Sequence, residues 1–233
     1  MDMQGNKVAL VVAAHPDDEV LGCGGTMARM ASDGTSVHVL LMADGERSRI
    51  SDLEALSPSR VAARTAAAEA AAKTLGCASV ELLDLPDNRL DQIELLDIVR
   101  RVEAVVQRYR PAIVFTHHAG DVNIDHRLVH DAVIAACRPQ PDHAVQELLF
   151  FEVPSSTEWR PPGSGGPFAP NWFVDISATY SQKLEALGAY ESELRPYPHP
   201  RSIRAIDALA QWRGATVGVV AAEAFMLARK IVR

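Results

Sequence analysis

The run KVALVVAA at residues 7–14 is apolar at almost every position and rich in β-branched residues. A strand without polar alternation is buried on both faces, as in parallel sheets that are covered by helices. Other strand-like runs alternate with helical segments along the chain, so the sequence predicts an α/β fold with a mostly parallel sheet flanked by helices. A chain of 233 residues, 48% of them hydrophobic, can build this as a single domain over residues 1–233.

Ionisable side chains lie just after four of the predicted strands. They are His15, Asp44, Asp87 and His117. The carboxyl ends of parallel strands meet at one edge of the sheet, and ligands bind in the crevice beyond that edge. We therefore expect these four side chains to share one crevice.

The first cluster, His15-Pro16-Asp17-Asp18-Glu19, combines an imidazole with three carboxylates at a strand end. Imidazole and carboxylate ligands suit zinc, and a set that leaves one position open is typical of catalytic sites. Neighbouring Asp17 and Asp18 point in different directions, so one can bind a metal while the other faces the open position. Glu19 either orients a neighbour or caps the turn. The alternative is a structural turn in which Asp17 caps the next helix.

The glycine-rich GCGG at residues 22–25 allows another interpretation. A strand, glycines and a helix beginning at Thr26 resemble a dinucleotide-binding turn, with Asp44 placed for a ribose contact. However, the run does not match GxGxxG, and the acidic residues before it would repel a pyrophosphate. We expect instead that the glycines let the backbone turn tightly beneath a crowded metal site.

A second cluster follows the fourth predicted strand, in FTHHAGDVNIDHRLVHDAV at residues 115–133. His126 and His130 are four residues apart on a predicted helix and share one face, so either is a candidate metal ligand. A lone histidine here would be interpreted as hydrogen-bonded or solvated, but four of the chain's eight histidines lie within these residues. The cluster also supplies His117, His118, Asp121, Asn123 and Asp125.

The net charge and the cysteine content argue against several classes of partner and of stabilising site. The net charge is −7 without a block of like charge, which argues against nucleic acid and anionic membrane surfaces. Three scattered cysteines without a CxxC pair argue against a disulfide framework and a thiolate zinc site. The first apolar run is too short to span a bilayer and lacks the basic flank of a signal peptide. These features predict a cytoplasmic protein without membrane insertion, and they leave homo-oligomerisation open.

The motifs AHPDDEVLGCGGT and GDVNIDHRLVHDAV together resemble the LmbE-like, PIG-L-type family of zinc-dependent N-deacetylases. The resemblance extends through RTAAAEAAAKTLG, LDLPDNRLD, YPHPRS and AEAF, and thus covers nearly the whole chain. It implies a Rossmann-like fold, a bound Zn²⁺ or another divalent metal, and removal of an acetyl group from an N-acetylglucosamine unit. The implied partner is a small acetylated sugar or glycoconjugate.

The resemblance also implies roles for individual residues. It makes His15, Asp18 and His126 the zinc ligands. Asp17 becomes the general base that takes a proton from the attacking water. The spare carboxylate in the first cluster then has a function, because one aspartate binds the metal and the other accepts the proton.

One position departs from the family pattern. Asn123 stands where the family often has a histidine that helps to polarise the carbonyl or stabilise the intermediate. We expect His117, His118, Asn123 itself or the distant His199 to supply this function. His199 lies between two prolines in YPHPRS, which suits a rigidly positioned group.

Two further residues match substrate-binding positions of the family. Arg64 corresponds to a helix arginine that contacts substrate, and Asp87 to an acidic residue implicated in binding sugar hydroxyls. Their alternatives are a surface arginine and a turn-forming aspartate. We also expect the Pro/Gly-rich loop at residues 154–171 to border the substrate entrance, because its length without a regular pattern suggests a functional loop.

Two other classes of function stay open on the sequence. One is a nucleotide-dependent enzyme of the Rossmann type, and the other is a metal- and sugar-binding protein without turnover. Bound zinc without nucleotide absorbance in the purified protein would favour the hydrolase over the first. The presence of Asp17 argues against the second, because a binding protein has no need of a general base.

Overall fold

The computed structural model describes residues 7–45, 58–141, 144–161 and 163–232. The strands within these residues are β1 (Val8–Ala13), β2 (Ser36–Ala43), β3 (Ser79–Leu85), β4 (Ile113–His117), β5 (Glu147–Phe151), β6 (Trp172–Asp175) and β7 (Ala222–Lys230). The helices are α1 (Asp18–Ser32), α2 (Pro58–Thr74), α3 (Leu95–Tyr109), α4 (Ile124–Ala136), α5 (Tyr180–Gly188) and α6 (Ile203–Ala215). None of these helices is long and apolar enough to cross a membrane. The polar loop that the sequence predicts at residues 45–59 lies mostly outside the described residues.

The strands form one sheet in the order β3-β2-β1-β4-β5-β7-β6. Strands β1 to β5 run parallel, whereas β7 pairs antiparallel with both β5 and β6. The order 3-2-1-4-5 is that of a doubly wound sheet, in which the strand order reverses between β1 and β4. The predicted single-domain α/β fold with a mostly parallel sheet flanked by helices is confirmed.

Helices cover both faces of the sheet, which explains the unbroken apolar run of β1. Ala9, Val11 and Ala13 belong to the core layer that contains α1, α2, α5 and α6. Leu10 and Val12 belong to the opposite layer, with α3 and α4. Because each face of β1 meets a helix layer, successive residues of this strand are all buried.

The prediction that the glycines at residues 22–25 form a tight turn is wrong. They lie inside α1, which begins at Asp18 rather than at Thr26. The helix kinks at Cys23, whose backbone has φ −148° and ψ 24°. Because no glycine turn follows β1, the dinucleotide-binding interpretation loses its structural basis.

Close packing explains these glycines instead. A Cβ atom on Gly22 would lie 2.4 Å from the ring of Phe151, and one on Gly25 would lie 2.8 Å from Ile176. Side chains at these positions would push α1 away from β5 and from the segment that follows β6. Tertiary packing therefore overrides the low helix propensity of glycine.

Strand β7 is not predicted by the sequence pattern. Its sequence, AEAFMLARK, consists mainly of residues that favour helices, and it follows two helical segments. Its strand conformation depends on pairing with β5 on one side and β6 on the other. Such long-range pairing leaves little local signal in the sequence.

A buried ion pair fixes the kink of α1 against α5 and β7. The kink frees the backbone N–H groups of Gly25 and Thr26, and both donate to the carboxylate of Glu223, at 3.0 and 2.7 Å. Lys183 donates to the same carboxylate at 2.6 Å and to the carbonyl of Leu21 at 2.9 Å. Three elements that are distant in sequence thus share one polar junction.

We expect Lys183→Met to lower the free energy of unfolding by about 3–5 kcal/mol, because it leaves the Glu223 carboxylate buried without its cation. Urea unfolding followed by circular dichroism measures this change. Lys73→Met is the matched control, since Lys73 is exposed on α2, and it should shift stability by less than about 0.5 kcal/mol. A Lys183→Met variant as stable as the parent would show that the helix N–H groups alone satisfy Glu223.

Candidate metal centre and active-site pocket

The candidate metal centre lies at the carboxyl edge of the sheet, where the segment after β1 meets α4. His15 lies between β1 and α1, Asp18 is the first residue of α1, and His126 lies in the first turn of α4. His15 Nδ1 is 3.3 Å from Asp18 Oδ2, and His126 Nε2 is 3.2 Å from the same oxygen. All three residues are buried. The fold thus brings together the three implied ligands, as a group whose ligand atoms lie close enough to hold one ion.

This group fits a divalent metal. Two imidazole nitrogens and one carboxylate oxygen form a donor set of catalytic zinc sites. Ligand atoms about 2.0–2.1 Å from a tetrahedral zinc lie about 3.3 Å from one another, which matches the two separations just given. Three protein donors also leave one of four positions for water or substrate.

Carboxylates behind the two histidines fix their rings. The outer nitrogen of His15, Nε2, lies 3.0 Å from Asp87 Oδ1 and 3.1 Å from Asp125 Oδ2. The outer nitrogen of His126, Nδ1, lies 3.2 Å from Asp121 Oδ2. Contacts of this kind set the tautomer and orientation of a metal-binding histidine. Sequence reasoning gave no role to Asp121 or Asp125, although both were visible in the second cluster.

These carboxylates are themselves held in place. Asp125 accepts the backbone N–H of Asn88 at 2.7 Å. Asp121 accepts the hydroxyl of Thr157 at 2.8 Å and that of Ser156. The orientation of the two histidines therefore depends on the turn after β3 and on the segment after β5.

The centre concentrates negative charge. Burial alone would lower the pKa of His126, but Asp18 and Asp121 raise it to about 9. Burial likewise opposes the charge on His15, whose hydrogen bond with Asp125 and contact with Asp18 raise its pKa well above the usual value. The two histidines in turn hold the pKa of Asp18 well below its usual range, against the effect of burial. The centre therefore attracts positive charge, as a site for a cation must.

Asp17 lies beside this centre and lines a pocket. Its backbone has φ 117°, a conformation that residues other than glycine rarely adopt. Its side chain makes no capping hydrogen bond to α1, although it occupies the N-cap position. The carboxylate instead lies 3.3 Å from Arg201 Nη1. Burial and the neighbouring Asp18 raise the pKa of Asp17 to about 8, and Arg201 acts in the opposite direction.

Glu19 orients Asp17 rather than a metal ligand. It is buried, and its Oε2 accepts the backbone N–H of Asp17 at 3.0 Å. Its Oε1 accepts the hydroxyl of Tyr190 at 2.6 Å. Glu19 thus helps to hold the strained backbone from which the Asp17 side chain reaches the pocket.

The pocket beside the centre has a volume of about 140 Å³ and is polar. Its lining includes the predicted substrate-binding residues Arg64, Asp87 and Asn123. Glu193 and Arg201 also line it, although sequence reasoning did not identify them. A larger cavity of about 450 Å³ lies between the C-terminal parts of α3 and α4, and none of the metal-centre residues lines it.

The Pro/Gly-rich loop contributes to the same pocket. Ser155 and Ser156, near the start of the loop, are lining residues. The first residues of the loop that the sequence predicts to border the substrate entrance therefore lie at this pocket. Ser155 has φ 69°, so this part of the loop also holds a conformation that residues other than glycine rarely adopt.

Arg64 and Asn123 are both engaged by neighbouring side chains. Arg64 Nη2 forms an ion pair with Glu193 Oε1. Asn123 is the N-cap of α4, where its Oδ1 accepts the N–H of Asp125 at 2.8 Å. Its Nδ2 donates to Asn88 Oδ1 at 3.0 Å. The amide of Asn123 thus has structural partners at both ends.

His117 and His118 do not line the pocket. His117 is fully buried, its Nε2 accepts the N–H of Ala14 at 2.8 Å, and its ring stacks on His126 with 3.9 Å between centroids. His118 donates from Nε2 to the carbonyl of Gly166 at 2.9 Å. The ring of His117 therefore supports the candidate ligand His126, and the ring of His118 supports the Pro/Gly-rich loop.

His199 and His130 also lie outside the pocket lining. His199 Nδ1 accepts the backbone N–H of Arg201 at 3.1 Å, and its ring meets Trp159 edge-on, with 5.7 Å between centroids. His130 donates from Nδ1 to the carbonyl of His117 at 2.8 Å. The structure therefore separates His130 from the ligand group formed with His126, although the two share a helix.

A doubly wound sheet that carries a His₂–Asp centre and a spare carboxylate at its carboxyl edge is the framework of a candidate metal-dependent enzyme. The model of the PIG-L family, described as GlcNAc-PI de-N-acetylase, matches residues 10–137, which contain both clusters. The chain belongs to this family of LmbE-like deacetylases.

Curated relatives match over most of the chain. It is 30% identical to the uncharacterized deacetylase YaiS of Escherichia coli K12, over 80% of this chain and 91% of that protein. It is 33% identical to 4-oxalmesaconate hydratase of Pseudomonas putida KT2440, over 78% and 72%. It is 26% identical to diacetylchitobiose deacetylase of Thermococcus kodakarensis, over 80% and 70%.

The fold has solved counterparts. The conserved protein TT1542 from Thermus thermophilus superimposes with a TM-score of 0.75 at 28% identity. The alignment covers 97% of this chain and 96% of that one. Both clusters and the C-terminal strands therefore lie within a known architecture.

Proposed function

We propose that the protein is a zinc-dependent N-deacetylase. It would hydrolyse the acetamide of an N-acetylglucosamine-type sugar or glycoconjugate and release acetate and a free amine. The observation that carries this proposal is the Asp17 carboxylate beside the ligand group of His15, Asp18 and His126. Family membership supports the reaction class, and other divalent ions suit the same donors.

His15, Asp18 and His126 would hold the ion. When bound, it supplies Lewis acidity that activates water and polarises a carbonyl. Asp17 takes a proton from the attacking water and delivers it to the amine nitrogen as the C–N bond breaks. A base with a pKa near the working pH can do both; burial and Asp18 raise the pKa of Asp17, whereas Arg201 and a bound cation lower it.

Arg64 and Asp87 line the same pocket and are proposed to bind the sugar. Guanidinium N–H groups and carboxylate oxygens are complementary to ring hydroxyls. A pocket of about 140 Å³ has room for little more than the reacting end of one sugar ring. We therefore expect the rest of a larger substrate to lie outside it, towards the loop that begins at Ser155.

An amine-release screen of the zinc-loaded protein over acetylated monosaccharides, sugar nucleotides and glycoconjugates tests the proposal. Acetate should appear in equal amount to the free amine. Zinc-stripped protein should be inactive and should recover on addition of zinc. Zinc and sugar binding without acetate release would identify a binding protein without turnover.

Hydration of an unsaturated acid is a second candidate. The relative that shares 33% identity is a 4-oxalmesaconate hydratase, and Arg64 and Arg201 are guanidinium groups of the kind that binds carboxylates. Loss of the ultraviolet absorbance of conjugated unsaturated diacids, without acetate release from any amide, would favour this reaction. The same zinc-loaded sample serves both assays.

A further inference from the structure

Among the described residues, the Asp17 carboxylate forms one ion pair. The backbone of Asp17 is fixed on both sides, since its N–H donates to Glu19 and its carbonyl accepts from Val20 and Leu21. None of these contacts restrains the side chain. The contact that does is the 3.3 Å ion pair between Oδ2 and Arg201 Nη1.

Arg201 is in turn held from two directions. Its Nη1 lies 3.6 Å from Glu193 Oε2, and Glu193 is almost wholly buried. The other oxygen of Glu193 binds Arg64, so one carboxylate aligns two arginines along the pocket wall. The Arg201 backbone is anchored by its N–H to His199 and by its carbonyl, which accepts from Arg195. The guanidinium therefore reaches the pocket from a fixed loop.

We propose that Arg201 is a positioning residue for Asp17, and that Glu193 holds Arg201 in place for this task. The inference rests on the proposed function, in which Asp17 is the base. Arg201 holds the Asp17 oxygen in one place between the metal centre and the pocket. His199 then acts through the backbone of Arg201 and needs no contact with substrate.

The contact between Arg201 and Asp17 gains importance because Asn123 stands where the family often has a histidine. Its amide is engaged in capping α4 and in binding Asn88, and it carries no charge. None of the three histidines considered as replacements lines the pocket. Arg201 and Arg64 are the arginines among the described lining residues, and of these Arg201 contacts the base.

Two other roles for Arg201 make different predictions. A purely structural tie between the loop and α1 would affect stability and leave turnover per folded, zinc-loaded molecule unchanged. A substrate-binding role would raise KM and leave kcat almost unchanged. A positioning role lowers kcat and leaves KM nearly constant, because a displaced base harms only the chemical step.

The test compares Arg201→Gln, Arg201→Lys and Glu193→Gln with the parent, all zinc-loaded and corrected for zinc content. Arg201→Gln should lower kcat by about 100-fold, the cost of misplacing a catalytic group by about 1 Å, with KM within about threefold. Arg201→Lys should recover part of the loss. Guanidinium ion added to Arg201→Gln should also raise kcat, which it would not do for a structural defect.

Two further variants, Glu193→Gln and Arg204→Gln, complete the experiment. Glu193→Gln should lower kcat in the same direction, and its effect should not add to that of Arg201→Gln, because the two residues act as a unit. Arg204→Gln is the matched control, since its guanidinium stacks on Tyr197 and Arg204 does not line the pocket. It should retain the parent kcat.

Two outcomes overturn the proposal: an Arg201→Gln variant with kcat within threefold of the parent, or one whose loss lies in KM alone. If the parent has no turnover on any substrate, the proposed function fails instead. A urea-unfolding double-mutant cycle of Asp17→Asn and Arg201→Gln then still tests the contact. Midpoint shifts that add independently would show that Arg201 does not hold Asp17.

Discussion

Asp17→Asn is expected to bind zinc as the parent does and to lose about 10²–10⁴-fold in kcat, the usual contribution of a general acid–base group. The amide has nearly the shape of the carboxylate, so the pocket and the neighbouring ligand Asp18 should keep their geometry. It has no oxygen that can take a proton from water. The loss should therefore lie in kcat and not in metal content.

The pH profile gives an independent measure of the same role. Only ionised Asp17 can accept a proton, and this form becomes more populated as pH rises. Burial and Asp18 raise the pKa of Asp17, so the change occurs at a higher pH than for an ordinary aspartate. Activity of the parent should thus rise with pH through the Asp17 pKa. A bound cation acts in the same direction as Arg201 and lowers that pKa below the metal-free value. In Asp17→Asn this limb of the profile should vanish.

Asp33→Asn is the matched control for Asp17→Asn. Asp33 is the exposed C-cap of the same helix, and its change to an amide alters the charge of the protein equally. It should leave kcat, zinc content and the pH profile unchanged. Near-parental turnover in zinc-loaded Asp17→Asn would remove Asp17 from the role of base.

The sequence predicts the centre of the fold and of the site because both depend on local patterns. The apolar run of β1 can be recognised since every position is buried. His15, Asp17 and Asp18 follow that strand directly, and the placement of parallel strand ends brings them to the edge that His126 also reaches. The residues of the first cluster and the order of the parallel strands therefore both place the site at the same edge of the sheet.

The rest of the pocket depends on contacts that the sequence does not display. Glu193 and Arg201 lie in a segment after α5, a helix that packs against α1, and this tertiary contact brings the segment to the pocket. The sequence suggests Asn123 as a catalytic substitute, yet its position before α4 is also that of an N-cap. Gly22 lies in a helix against local propensity, because Phe151 occupies the space that a side chain would need.

His126→Ala is expected to lose both metal and activity. The Nε2 of His126 faces Asp18, and its Nδ1 is fixed by Asp121, so the alanine variant lacks one of three protein donors and leaves two carboxylates facing each other. Loss of an outer partner of a metal ligand costs about 10–100-fold in affinity, and loss of the ligand itself should exceed that. Zinc analysis after dialysis and titration with a competing chelator measure the change.

His130→Ala is the matched control, since it removes an imidazole four residues along the same helix. His130 donates to the carbonyl of His117 and does not belong to the ligand group, so this variant should retain zinc. Added zinc should raise the Tm of the parent and of His130→Ala, because a ligand that binds the native state stabilises it, but should leave that of His126→Ala almost unchanged. Full zinc occupancy in His126→Ala together with zinc loss in His130→Ala would make His130 the ligand instead of His126. The helix α4 would then have to turn so that His130 faces Asp18.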